Sequence, residues 1–184
     1  MKVLTVFAHP RAEAAQTITE LRSAGIQHIV MLTGDNEGTA RAIAREAGVT
    51  EVQAELLPED KVIAIEKLVD QYAFVAMIGD GINDAPAMGR ATIGIAMGAA
   101  GSDTAIEAAD IALMADDLSK LPWLLKHSRR MLSIIRVNIV LSLAVKAVVV
   151  ALTLAGHASL WTAIAADIGV SLLVIFNALR LLRT

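Results

Sequence analysis

The order of apolar and polar positions divides the chain into two unlike parts. Up to about residue 117, short apolar runs alternate with longer amphipathic ones. Leu4–Phe7, Ile29–Leu32, Phe74–Ile78, Ile93–Met97 and Ile111–Leu113 are too short for helices and apolar enough for strands buried on both faces. Between them, Ala12–Ala24, Glu37–Ala47, Glu59–Gln71 and Thr104–Ala109 carry helical patterns. Strand alternating with helix predicts an α/β fold built on a mostly parallel sheet with both faces covered. In such sheets the working groups sit in loops at the carboxyl ends of the strands.

From Leu118 the pattern changes. Leu118–Arg136 reads as a basic helix carrying Lys126, Arg129, Arg130 and Arg136. Val137–Gly156 and Ser159–Leu179 follow, each apolar apart from one charge, Lys146 in the first and Asp167 in the second. At about 1.5 Å per residue each can cross a bilayer core of roughly 30 Å. Gly156-His157-Ala158-Ser159 supplies a turn between them. The expected organisation is an α/β domain over 1–117, a basic connecting helix over 118–136 and a two-helix membrane hairpin over 137–184. Arg129, Arg130 and Arg136 precede the first span, and Arg180 and Arg183 follow the second. That distribution predicts a multi-pass protein of the cell's inner or plasma membrane, with the α/β domain and both termini in the cytoplasm. The competing reading, two helices buried in a soluble core, asks too little chain to wrap too much apolar surface.

Composition sharpens this picture. Apolar residues make up 55% of the 184 positions while aromatics make up 3%, so the excess is aliphatic, and it gathers after Val137. A net charge of −3 leaves no general basic field for nucleic acid. Without cysteine there is neither a disulfide framework nor a thiolate metal site. The opening Met1-Lys2-Val3-Leu4 reaches Pro10 too soon for a signal peptide.

Two loops concentrate the chemistry. After the Phe74–Ile78 run comes Gly79-Asp80-Gly81-Ile82-Asn83-Asp84. Its glycines allow a sharp turn and close approach to a ligand. Asp80 and Asp84 offer hard oxygens of the kind Mg²⁺ takes alongside phosphate and water. Asp84 precedes Ala85-Pro86, so it is also expected to cap a helix there. After Ile29–Leu32 comes Thr33-Gly34-Asp35-Asn36, which reads equally as a hydroxyl site for a phosphate oxygen and as a capping turn. Lys61, behind Leu57-Pro58-Glu59-Asp60, is a solvated surface charge in isolation and a neutralising point charge in a phosphate site. A hydroxyl, a lysine and a carboxylate–Mg²⁺ centre form a coherent set for phosphoryl transfer, and what the set lacks is a nucleophile.

Thr33-Gly34-Asp35, Pro58-Glu59-Asp60-Lys61 and Gly79–Ala87 resemble, in order and spacing, the P-domain of P-type ATPases, which has the haloacid-dehalogenase-like fold. The resemblance runs from about Arg11 to Arg183. It implies Thr33, Gly34, Asp35, Lys61 and Asn83 as catalytic residues, with Thr33 and Lys61 holding the phosphoryl group. Asp80 and Asp84 would bind or order Mg²⁺, and ATP would be the phosphoryl donor in an intact pump. The second half resembles the last two membrane helices of the zinc/cadmium/lead subgroup of the heavy-metal branch, through Lys146, Asp167-Ile168-Gly169 and Asn177-Ala178-Leu179-Arg180-Leu181-Leu182. In that subgroup the aspartate contributes to the transmembrane site for Zn²⁺, Cd²⁺ or Pb²⁺, and the lysine acts as its counter-ion. Depth supports the pairing independently: Lys146 stands about eleven residues before His157 and Asp167 about ten after it, so both lie roughly 15 Å below one surface. Opposite charges at equal depth offset a cost of several kcal/mol for an isolated one.

The chain departs from the pattern in definite places. No Asp-Lys-Thr-Gly string occurs, nor a Thr-Gly-Glu loop, nor a cysteine-bearing helix, and Ala8-His9-Pro10-Arg11 stands where the family carries Asp-x-x-Arg. Met1–Pro10 also resembles the first strand of flavodoxin-like quinone reductases, with no continuation of that pattern downstream. The leading expectation is therefore the carboxyl-terminal portion of a divalent heavy-metal P-type ATPase, inactive alone because covalent catalysis without its nucleophile has no first step. The missing remainder of the pump, or a full-length homologue, would be its partner beside the bilayer. Two other readings are a membrane-anchored regulator or split subunit, and a phosphatase using Asp80 or Asp35 as nucleophile.

Overall fold

The computed structural model describes residues 3–6, 14–79, 83–97, 107, 109–114, 117–157 and 159–182. It divides into two compact units, Met1–Leu124 and Leu125–Thr184, each described by itself below.

The first unit is built on six parallel strands: β1 Val3–Val6, β2 His28–Leu32, β3 Glu51–Gln53, β4 Val75–Gly79, β5 Ile93–Met97 and β6 Ile111–Leu113. Their order across the sheet is β3-β2-β1-β4-β5-β6. Chain order reverses at β1, which pairs with β2 on one side (Leu4 opposite Ile29) and β4 on the other (Leu4 opposite Ala76). In sheets of this type, ligands bind at the carboxyl edge beside such a reversal. The continuous apolar runs of β2 and β4 are explained by burial on both faces. Val30, Leu32, Val75 and Met77 point to one side and pack with Ala64, Ile65 and Leu68 of α3 (Pro58–Tyr72) and Ala87 and Met88 of α4 (Ala85–Met88). Ile29, Met31, Ala76 and Ile78 alternate to the other side and are equally buried. Helices α1 (Ala14–Ser23) and α2 (Glu37–Ala47) pack on each other and bury Ile18, Leu21, Ala40 and Ala44.

Three features differ from the sequence reading. Strand β3 is absent from the apolar pattern because Glu51-Val52-Gln53 is short, polar and only partly covered; it forms because the edge of β2 offers a ladder. Phe74 lies outside β4 and is exposed, since Ala73 turns the chain with φ 62° and β4 begins at Val75. The helix expected over Thr104–Ala109 falls mostly outside the described residues.

The second unit begins within one unbroken helix, α5 (Lys120–Leu154), of 35 residues. Pro122 falls in its first turn, where no amide partner is required. From Trp123 to Leu154 there is no glycine or proline, so the expected basic helix and first span are continuous. The turn follows the expected signals. Gly156 takes φ 77°, and its amide and that of His157 donate to the carbonyls of Thr153 and Leu152. Such a left-handed residue closes helix ends without Cβ strain. Ser159 then caps α6 (Leu160–Leu179), its hydroxyl accepting from the Thr162 amide while Thr162 Oγ1 accepts from the Ser159 amide. A 3₁₀ turn, Arg180–Leu182, follows. Both α5 and the Leu160–Leu182 helix are long and apolar enough to cross a membrane.

Candidate functional site

In the first unit the chemistry-bearing loops follow β2 and β4, the strands flanking β1. Thr33 leaves β2 buried, at 4% exposure. Its amide donates to the carbonyl of Gln53 and its own carbonyl accepts from the Leu56 amide, both at 3.0 Å. Its hydroxyl donates to Asp35 Oδ2 and accepts from the Asp35 amide, each at 3.1 Å. The hydroxyl is thereby oriented within its own loop. Gly34 sits in close quarters, because a Cβ there would stand 3.3 Å from the Leu56 carbonyl oxygen. Asn36, not Asp35, caps α2, its Oδ1 accepting from the Thr39 amide at 3.0 Å. The capping reading of this string is thus realised by Asn36, while the Thr33 hydroxyl is engaged with Asp35.

The segment leading into α3 runs beside the β2 loop. Glu55 donates its amide to the Asp35 carbonyl at 2.9 Å and holds φ 57°, an uncommon conformation for a residue with a side chain. No sequence signal marks Glu55 for this, since glutamate has no preference for the left-handed region. Pro58 opens α3, and the Asp60 carboxylate accepts from the Leu57 amide at 3.0 Å.

Lys61, in the first turn of α3, reaches across to the β4 loop and donates its ammonium to Asp84 Oδ1 at 2.8 Å. The side chains are 13% and 3% exposed. Asp84 precedes α4 as expected but makes no side-chain cap to it. The expectation that it caps α4 is corrected: its backbone is αR (φ −103°, ψ −5°), and the carboxylate turns to the buried ammonium instead. Gly79 makes room for this, because a Cβ there would lie 2.9 Å from Asp84 Cβ. Asn83 is exposed in the same loop. Asp80 lies outside the described residues. The structure thus joins Thr33 with Asp35, and Lys61 with Asp84, and ties the two pairs together through the Glu55–Leu57 lead into α3.

In the second unit, Lys146 Nζ lies 3.7 Å from Asp167 Oδ1, with the side chains 66% and 65% exposed. Both line a cavity of about 220 Å³ otherwise walled by aliphatic residues, among them Val145, Val149, Ala163 and Val170. A contact absent from the sequence reading lies further along the hairpin, where Asn177 Nδ2 donates to Asn138 Oδ1 at 2.7 Å. Its only signal in the sequence is one asparagine near the arginine-bearing end of each apolar stretch.

The family model of the haloacid dehalogenase-like hydrolases matches residues 1–92. The cadmium-transporting ATPase of Staphylococcus aureus is 50% identical over 98% of this chain and 25% of its own length. The zinc-transporting ATPase of Synechocystis sp. is 48% identical over 93% of the chain and 24% of its length. A crystal structure of a zinc-transporting PIB-type ATPase superposes with a TM-score of 0.83 at 50% identity, covering 93% of this chain and 28% of that one. The chain therefore spans about a quarter of the length of the curated relatives it matches. A parallel-sheet domain followed by two long apolar helices fits these matches. The chain belongs to the haloacid dehalogenase-like hydrolase family, and along nearly its whole length it matches the carboxyl-terminal part of cadmium- and zinc-transporting P-type ATPases.

Proposed function

We propose that this chain is the phosphate-handling and metal-counter-ion portion of a pump that exports a divalent heavy metal (Zn²⁺, Cd²⁺ or Pb²⁺) using ATP. The observation that carries the proposal is the Lys146–Asp167 contact beside an aliphatic cavity. Ionisable groups on membrane helices are costly and mark ion paths, and a carboxylate is a suitable ligand for a divalent cation. Asp167 would bind the cargo, and Lys146 would neutralise it when the metal has left. Both ends of the hairpin and the α/β unit would face the cytoplasm, as the arginines beside the spans favour.

In the α/β unit, Thr33 and the Gly34 backbone would hold the phosphoryl oxygens, with Asp35 fixing the Thr33 hydroxyl. Lys61 would supply positive charge, and Asn83 would order the β4 loop. Asp80 and Asp84 have the hard-oxygen chemistry of a Mg²⁺ site, and the ion would neutralise charge on the transferred group. Asp84 Oδ1 already accepts from Lys61, so its part is to hold the lysine and the loop as much as to face the ion. The nucleophilic aspartate would come from the remainder of the pump, because the sequence holds no Asp-Lys-Thr-Gly string.

Titration of the full chain in detergent micelles with Zn²⁺ or Cd²⁺ tests the cargo assignment. Asp167→Asn is expected to weaken binding at least tenfold, the scale on which metal sites respond to altered ligation. Affinity indifferent to that change would overturn it.

A further inference from the structure

Between α5 and α6 the covered positions form one seam. It runs through Asn138, Val145 and Val149 on one side, and Ala163, Val170 and Asn177 on the other. Aliphatic and small residues give such a seam little resistance to sliding, since lipid solvates them as well as a partner helix does. Two polar rungs interrupt it. One is the Lys146–Asp167 contact, loose at 3.7 Å and two-thirds exposed. The other is the Asn177–Asn138 hydrogen bond, short at 2.7 Å and partly buried. Asn138 lies eight residues before Lys146 and Asn177 ten after Asp167, so the rungs are roughly 12–15 Å apart along the hairpin. Arg180 extends the second rung. Its guanidinium donates to Asn177 Oδ1 at 3.3 Å, while Arg130 donates to the Arg180 carbonyl at 3.4 Å. Because guanidinium only donates, it fixes the Asn177 amide with the oxygen toward Arg180 and the nitrogen toward Asn138. A single buried asparagine pair is the best-attested device for choosing one helix register among near-equals.

We infer that Asn138 and Asn177 are positioning residues that lock the register of the hairpin, so that Lys146 stays opposite Asp167 when the ion pair itself opens. This rests on the proposed cargo role of Asp167. A carboxylate that takes a cation gives up its lysine, and at that moment the ion pair no longer holds the helices. A slip of one helical turn, about 5.4 Å, would then carry Lys146 away from its partner. The asparagine rung carries no net charge and does not change with metal occupancy, so it keeps the register throughout.

The absence of cysteine makes the register directly readable in the full chain. Val149→Cys with Ala163→Cys places one thiol on each helix at the same cavity. With diamide added as the two-electron oxidant, this pair is expected to form a disulfide, and to do so at a rate within about twofold when Lys146→Met removes the ion pair. Adding Asn138→Leu and Asn177→Leu to that background is expected to slow the reaction roughly three- to tenfold, the range given by interhelical hydrogen bonds in membranes. Using Asn138→Asp in place of the two leucines keeps an accepting oxygen for Asn177 and restores the rate. Circular dichroism on each variant verifies that the helices persist. A rate unchanged by the leucines, a rate lost on Lys146→Met alone, or no disulfide in the starting pair would each overturn the inference. In the cysteine-free chain, the leucine pair should weaken Zn²⁺ or Cd²⁺ binding by a similar factor. If the parental chain binds no metal, the cargo assignment fails, while the disulfide rates still decide whether the asparagines set the register.

Discussion

At the scale of single residues, the Lys61–Asp84 pair is a nearly buried ion pair of the α/β unit. Two opposite charges taken this far out of water gain little net stability over an apolar pair, but removing one alone leaves the other buried without that counter-charge. Lys61→Met is therefore expected to cost about 3 kcal/mol in urea unfolding of the full chain in micelles. Adding Asp84→Asn should recover part of that loss, since the buried negative charge is then gone; a Lys61→Met cost below about 1 kcal/mol would show the pair to be a solvated contact. The residues of this pair were legible from spacing, because a lysine after Pro-Glu-Asp and an aspartate five residues after a strand-ending glycine are both written in the string. Their pairing was not, because Asp84 reads locally as a cap and its partner lies twenty-three residues earlier. Gly79 shows the same limit. Its small size is visible in the sequence, while the reason for it, the Asp84 side chain 2.9 Å from any added Cβ, belongs to the tertiary structure.

At the scale of elements, what could be read was whatever periodicity and end signals dictate. Strands β2, β4 and β5 are buried aliphatic runs, α2 ends at Gly48 with φ 77°, and the hairpin turn uses Gly156 and Ser159. The polar strand β3 was not legible, because its formation depends on a free edge of β2 and on Thr33 donating to Gln53. Asp117 orders the turn that leads into α5. Its carboxylate accepts from the Ser119 amide at 2.9 Å and faces Lys120 Nζ at 3.6 Å. Hydrogen bonds from Ser119, chiefly, and the charge of Lys120 hold its pKa below the ordinary 3.8. The folded value is the depressed one, so this turn contact is present at neutral pH and is lost as pH falls below the unfolded range near 3.9 and through the folded value. Protection of the Ser119 amide from hydrogen exchange should fall over that acid window, and Asp117→Asn should remove the pH dependence. Protection unchanged by acid would place the origin of the helix start elsewhere, in Leu118 and Leu121, which are buried beside it.

At the scale of the whole molecule, two physically different problems are solved in one chain. The sheet unit buries aliphatic strands against helices and leaves its polar groups at one edge. The hairpin instead leaves Val140, Leu143, Leu154 and Phe176 exposed along its length, as suits contact with lipid or with further apolar helices. Coupling chemistry at the first to ion movement at the second is what a pump requires, and in the proposed scheme the resident groups would supply the receiving side of each process. There Thr33 and Lys61 would hold and neutralise a phosphoryl group while Asp84 anchors the lysine, and none of the three becomes phosphorylated. The 184-residue chain incubated with Mg²⁺ and γ-labelled ATP is therefore expected to form no acid-stable acyl phosphate. Supplying in trans the Asp-Lys-Thr-Gly-bearing remainder of a cadmium or zinc ATPase should restore labelling, on the aspartate of that remainder. Label on Asp35 or Asp80 of this chain would instead mark it as a phosphatase with its own nucleophile. Labelling absent even with the remainder present, while the assembled complex binds ATP, would favour a membrane-anchored regulator. The outcome turns on one chemical group, because charge stabilisation without a nucleophile lowers the barrier of a reaction that cannot begin.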